Sequence, residues 1–131
     1  MDVKQGEIYW VDIPASHTEG SEQYGCRPFI VMSRTALNKA QKTVIVVPLT
    51  THQGETSIAS FLSTQPAYRI VIPPAEITKD PSCNSAMTVS VAKADQARVI
   101  DKVRLGQKMG TLSRTAVISV SLGLAWVFDV R

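Results

Sequence analysis

The sequence is short of the residues on which several common chemistries depend. Its 131 residues hold two cysteines and two histidines. Cys26 and Cys83 build no disulfide framework, and neither lies in a CxxC pair or a His/Cys cluster with metal-ligand spacing. No metal site and no cofactor are therefore expected. A Ser/His/Asp or Cys/His triad would have to use His17 or His52. A ribonuclease built on two histidines is allowed by count, but both fall in expected loops, where a histidine is usually just solvated. There is no GxGxxG, no P-loop and no GxSxG, which removes the usual dinucleotide, nucleotide-triphosphate and serine-hydrolase signatures. No apolar run approaches the roughly 20 residues of a membrane span. Met1 to Gly6 lack the apolar core of a signal peptide. A cytoplasmic chain with free thiols and no membrane partner is expected. Repeats, linkers and low-complexity tracts are also missing, so residues 1–131 are expected to form one domain.

Charge is present but modest. Lysine and arginine number 14 against 11 acids, a net charge of +3, which leans mildly towards a polyanionic partner.

What the sequence does have is strand pattern. Gly6 to Ile13 alternate, with Ile8, Trp10 and Asp12 on one side and Tyr9, Val11 and Ile13 on the other, until Pro14 ends the run. Residues 14 to 26 form a long polar loop, a length usually functional or disordered. Pro28 to Ser33 are apolar on both faces and read as a central strand. Thr35 to Ala40 suit one helical turn. Thr43 to Thr50 make the strongest strand, with Pro48 marking a bulge or an edge. Ser57 to Leu62, Tyr68 to Pro73 and Ser85 to Val91 read as further strands, and Gly106 and Gly110 punctuate the segment beyond Asp101. Thr111 to Val130 fit both periods, but their uninterrupted length favours a helix capped by Thr111. Leu112, Ala116, Val120, Leu124 and Val127 would form its buried face, and Thr115, Ser119 and Gly123 a stripe of small residues. The result is mainly β with a C-terminal helix, a small antiparallel barrel or half-barrel.

Polar residues gather at strand ends. Gly20-Ser21-Glu22-Gln23-Tyr24-Gly25-Cys26-Arg27-Pro28 runs from loop chemistry into a strand. Pro28 suits a strand's first residue and holds Arg27 extended, at the join of a flexible flap and a rigid edge. Taken alone, Arg27 reads as a surface charge paired with Glu22. Thr50 and Thr51 end the central strand, and Lys93, Asp95 and Gln96 follow a later one. Arginine and lysine suit a phosphate, and hydroxyls and a carboxylate suit hydrogen bonding or proton transfer. The residues alone support an anion-binding small barrel.

The same residues resemble the MazF/PemK/Kid toxins of bacterial toxin–antitoxin modules, which are endoribonucleases. Residues 20–28 match the signature G-[SH]-E-Q-x-G-x-R-P. Gly6 to Asp12 look like the family's opening strand, and Val46-Val47-Pro48-Leu49-Thr50-Thr51 is similar to its V-P-[ILV]-T-[ST] strand end. Val91 to Asp101 resemble the segment carrying [DE]-Q and [TS]-[IV]-D. The resemblance implies an SH3-like small barrel of the PemK/CcdB type, a homodimer, a cognate antitoxin and single-stranded RNA cut at a short motif without metal. It assigns the catalytic arginine and threonine to Arg27 and Thr50, and the carboxylates to Glu22 and Asp95. Gln23, Thr51, Lys93 and Gln96 are the expected RNA contacts. Cleavage through the 2′-OH needs a base, for which Glu22 and Asp95 are both candidates, and a cation for developing charge, which Arg27 supplies. Position 93 varies in the family, so Lys93 is read as a substrate contact. Tyr24 either stacks a base or packs the loop. The alternative is a CcdB-like gyrase inhibitor without catalysis, kept open by Trp126 near the C-terminus, which otherwise reads as core or dimer interface. A catalytically silent RNA-binding domain is the third reading, and no signature position is missing to favour it.

Overall fold

Apolar alternation in three neighbouring strands builds the centre of the molecule. The computed structural model describes residues 2–13, 25–51, 66, 68–84 and 88–130. Its strands are β1 (Glu7–Ile13), β2 (Gly25–Val31), β3 (Thr43–Thr51), β4 (Arg69–Ile72), β5 (Ile77–Lys79), β6 (Ser90–Lys93), β7 (Arg98–Asp101) and β8 (Leu105–Leu112). Helix α1 (Thr35–Ala40) follows β2, and α2 (Arg114–Val127) follows β8. The described strand pairs are all antiparallel. Their order is β4-β6-β3-β2-β1-β8-β5, with β7 beside β3. The sheet curls into a half-barrel and α2 packs against it, the mainly β fold with a closing helix that the sequence leads one to expect.

Alternation then divides the core in two. Ile8, Ile30, Val47 and Leu49 face one cluster, with Ile72, Ala92 and the α2 residues Ala116, Val117 and Val120. Their neighbours Tyr9, Val11, Phe29, Val31, Val44 and Val46 face the other, with Val3, Ile100 and Leu105. An inner strand between two cores must be apolar on both faces, which is why β2 is. Phe29 is fully buried, and truncating such a side chain to alanine costs about 3–5 kcal/mol.

A buried charge ties the rim of this sheet. Glu7 is 7% exposed; its Oε2 lies 2.7 Å from Lys108 Nζ. Its Oε1 accepts from the Lys4 N–H at 2.7 Å and the Tyr9 hydroxyl at 3.0 Å. Burial pushes the Glu7 carboxyl up, but these donors outweigh it and hold the group below its ordinary value. Burial and the Glu7 charge push the Tyr9 phenol upward.

Several local expectations are corrected by pairing. Pro28 is not the first residue of its strand, because Gly25, Cys26 and Arg27 already pair with β1. It is tolerated there because β2 meets β3 only from Phe29 onward. Pro48 marks no edge: β3 is interior. Its partner changes at that point, from β7 along Thr43–Val46 to β6 along Leu49–Thr51, so a missing N–H falls where the ladder switches. Gly106 and Gly110 do not interrupt β8 but lie within it. A Cβ on Gly110 would stand 2.6 Å from the Thr78 carbonyl oxygen, so the glycine permits close approach of β5. Of the strand expected from Ser85, residues 85–87 lie outside the described residues, and β6 begins at Ser90, opposite Thr51. Thr111 does not cap α2, since it pairs with Glu7 in β1 and Thr78 in β5. Ser113 caps it instead, its Oγ accepting from the Ala116 N–H at 3.1 Å. The small-residue stripe is not one surface: Gly123 is buried against Ile70 and Ala94, whereas Thr115 is exposed. The strand expected at residues 57–62 lies outside the described residues. Cys26 is exposed, Cys83 is buried, and both are free. Among the described residues no helix is long and apolar enough to cross a membrane.

Candidate active site

Strand registers decide which of the expected residues share a face. Directly opposed residues of an antiparallel pair project to the same side, and alternate residues of one strand do too. Phe29 pairs with Pro48, so two residues further along each strand Arg27 and Thr50 come to matching positions on one side. Thr50 pairs with Val91. Two residues beyond Val91 in β6 is Lys93, and Lys93 pairs with Arg69 of β4. Arg27, Thr50, Lys93 and Arg69 therefore project from one face, across four neighbouring strands at one end of the sheet. Thr51, the next residue in β3, faces the other side.

Asp95 enters from a 3₁₀ turn, Ala94–Gln96, directly after β6. Its two carboxylate oxygens accept from Arg69: Nε donates to Oδ1 at 3.1 Å and Nη2 to Oδ2 at 3.1 Å. The turn is held by α2, where Gly123 lets the helix approach Ala94 and Ile70 closely. Gln96 follows, and its Oε1 is buried with no hydrogen-bond partner among the described residues. Such an acceptor is costly to leave unmade. Glu22 and Gln23 lie outside the described residues, as do His17, His52 and Tyr24.

The electrostatics are cationic. Burial, then Arg69, then Arg27 hold the Lys93 ammonium below the ordinary lysine value, with Asp95 opposing. Lys93 therefore feels both arginines, one from each side of it. Three cations and one carboxylate share the face, an arrangement suited to a polyanion and to charge developing on a phosphorus centre. Among the described residues no group of three or more His, Cys, Asp or Glu is placed to hold a metal ion.

One member of this set, Arg69, is not among the residues that the sequence singles out. Its strand is legible, yet nothing in its local sequence separates it from a surface arginine. The signal was its register with Lys93, which exists only once β4 and β6 are paired. Trp126 is not core, being 61% exposed, with its ring stacked on Tyr68 at 5.1 Å.

Comparison with known proteins bears on the family and the fold. The curated Endoribonuclease MazF of Staphylococcus epidermidis is 29% identical over 122 residues, 93% of this chain and 88% of that protein. The crystal structure of MazF from Deinococcus radiodurans has the same fold, with a TM-score of 0.71 at 18% identity and 98% of each chain covered. An endoribonuclease solved in complex with its cognate antitoxin, from a mycobacterial species, has a TM-score of 0.67 at 19% identity, covering 98% of this chain and 97% of that one. The family described as PemK-like, MazF-like toxin of type II toxin-antitoxin system matches residues 4–128, and this chain belongs to it.

Proposed function

We propose that this chain is a toxin endoribonuclease that cuts single-stranded RNA at a short preferred sequence and so blocks translation. The observation that carries the reading is the convergence of Arg27, Thr50 and Lys93 on one face, with Asp95 beside them. The substrate brings its own nucleophile, the 2′-OH next to each phosphate. The 2′-oxygen forms a bond to phosphorus as its proton passes to a carboxylate, Glu22 or Asp95. The bond from phosphorus to the 5′-oxygen breaks, and that oxygen takes up a proton. The products are a 2′,3′-cyclic phosphate and a 5′-OH. Arg27 stabilises the charge that grows on the phosphate, and Thr50 donates a hydrogen bond to it. Gln23, Lys93 and Gln96 contact the RNA, and the chemistry proceeds without a metal.

The active form is a homodimer in this reading, with RNA crossing a groove made by both subunits. Ile118, Leu122 and Trp126 leave an apolar face of α2 exposed, which supports it. A cognate antitoxin lays an acidic, disordered segment over the cationic face and displaces the residues that precede β2. This is consistent with the antitoxin complex of the mycobacterial relative.

The test incubates the purified chain and its Arg27→Ala variant with a long single-stranded RNA in EDTA and maps the new 5′ ends. Cutting at one short motif by the wild type alone is the expected result. Intact RNA with both folded proteins would overturn the reading and favour a gyrase inhibitor on the same fold.

A further inference from the structure

Arg69 is held before any substrate arrives. Its guanidinium bonds both oxygens of Asp95, and its Cζ stands 5.9 Å over the Tyr68 ring. Tyr68 in turn stacks on Trp126 of α2. A guanidinium carries five N–H donors, and among the described residues the two Asp95 bonds occupy two of them, leaving three for another acceptor. The side chain is a quarter exposed.

A purely structural ion pair does not explain where Arg69 sits. Its direct cross-strand partner is a second cation, Lys93. Like charges directly opposed on a sheet are destabilising, and Asp95 answers only part of that repulsion. Folding alone would be served better by a neutral or acidic residue at either position. The juxtaposition is accounted for by a dianionic or polyanionic ligand that satisfies both cations at once. From Arg27 in β2 to Arg69 in β4 is three strand spacings, about 14 Å. That is a track for successive phosphates, where a single phosphate would need only one end of it.

We propose that Arg69 is a further substrate-binding residue, contacting an RNA phosphate next to the one that is cut, and that Asp95 is its positioning residue. The proposal rests on the RNA-cleavage reading above and extends the site from β2 to β4.

The test has two arms. In the first, a single-stranded RNA bearing the mapped motif, blocked by 2′-O-methylation, is titrated by fluorescence anisotropy at several salt concentrations. The proteins are wild type, Arg69→Ala, Arg69→Lys and Arg34→Ala, the last removing an equal charge near the far end of β2. Arg69→Ala is expected to weaken binding about tenfold and reduce the salt slope by about 0.7, the value for one single-strand phosphate contact. Arg69→Lys keeps the slope and recovers part of the affinity, which also covers an alanine variant that folds poorly. Arg34→Ala keeps both. In the second arm, saturating cleavage rates and KM are measured for Arg69→Ala, Asp95→Asn and the double variant. If Asp95 acts through Arg69, both single variants act mainly on KM and the double is no worse than Arg69→Ala. An unchanged salt slope in folded Arg69→Ala would overturn the phosphate contact. A loss of two or more orders of magnitude in saturating rate for Asp95→Asn, additive with Arg69→Ala, would overturn the positioning role and make Asp95 the base. A wild type that neither binds nor cuts RNA would remove the underlying reading, and with it the proposal.

Discussion

Arg27 and Thr50 lie at matching positions of β2 and β3, two residues beyond the Phe29–Pro48 pair, although 22 intervening residues separate them in the chain. The same register that buries Phe29 and Val46 in one core carries the arginine and the threonine out of it on the same side. Core packing thus aims the site. Arg27→Ala should cut saturating cleavage by about 10²–10³, the typical loss for one group that stabilises transition-state charge, with the melting temperature nearly unchanged because Arg27 is exposed. Arg27→Lys should recover only part of it, since the planar donor fork is lost. Single-turnover kinetics with circular dichroism melts separate the two effects.

Lys93 gives the site an alkaline limit. Its ammonium is held below the ordinary value of 10.5 by burial and by the two arginines. The cation is therefore lost at a lower pH than for a solvated lysine, and RNA affinity should fall before pH reaches that value. Below the folded-state pKa the charged Lys93 costs the free protein stability, and this cost fades as pH rises through it. Lys93→Met should weaken RNA binding and flatten its alkaline fall. It should also stabilise the free protein by about 0.5 kcal/mol by removing the cation opposite Arg69. Binding titrations against pH, beside denaturant melts, check both signs.

Glu7 sets the acid limit of the fold. Its folded pKa lies below the ordinary 4.5, so its contribution is fully present above that pH and lost as pH falls through the folded value. Stability should drop as pH falls below about 4.5. Glu7→Gln should cost about 2 kcal/mol at neutral pH and make the acid fall shallower. Chemical denaturation at a series of pH values measures it. Cleavage by the folded variant should persist, because Glu7 pairs with Lys108 rather than with any residue of the cationic face.

Gly123 couples helix α2 to the turn that carries Asp95. A Cβ there would stand 3.0 Å from Ile70 Cδ1 and 3.3 Å from Ala94 Cβ. Gly123→Leu should destabilise by about 1–3 kcal/mol through overpacking. It should also shift the 94–96 turn, so that KM for RNA rises in the fraction that remains folded. Denaturant melts and steady-state kinetics on the same preparation test the link.

The apolar face of α2 predicts assembly. Leu122→Glu should weaken self-association at least tenfold by placing a charge in an apolar seam, without unfolding the chain, as Leu122 is 66% exposed. Sedimentation across a concentration series reads this directly.

Much of this protein is dictated by local sequence. Apolar alternation in Ile8–Ile13 and Thr43–Leu49 makes strands, because a half-buried pleat has a period of two residues. Family membership was legible in residues 20–28 and in the threonine pair ending β3, since those side chains stand in a fixed chain order. What the chain order does not contain is which strand lies beside which. Thr111 has the chemistry of a helix cap and the position of one, yet two neighbouring strands claim its backbone, and the cap passes to Ser113. Pro48 looks like an edge and stands inside the sheet, where its strand exchanges one partner for another. Arg69 looks like any surface arginine until β4 pairs with β6; only then does it face Lys93 and reach Asp95. Local periodicity determined the elements and the motif. Long-range registers, set by burial of two cores on opposite faces of the sheet, decided which charges meet.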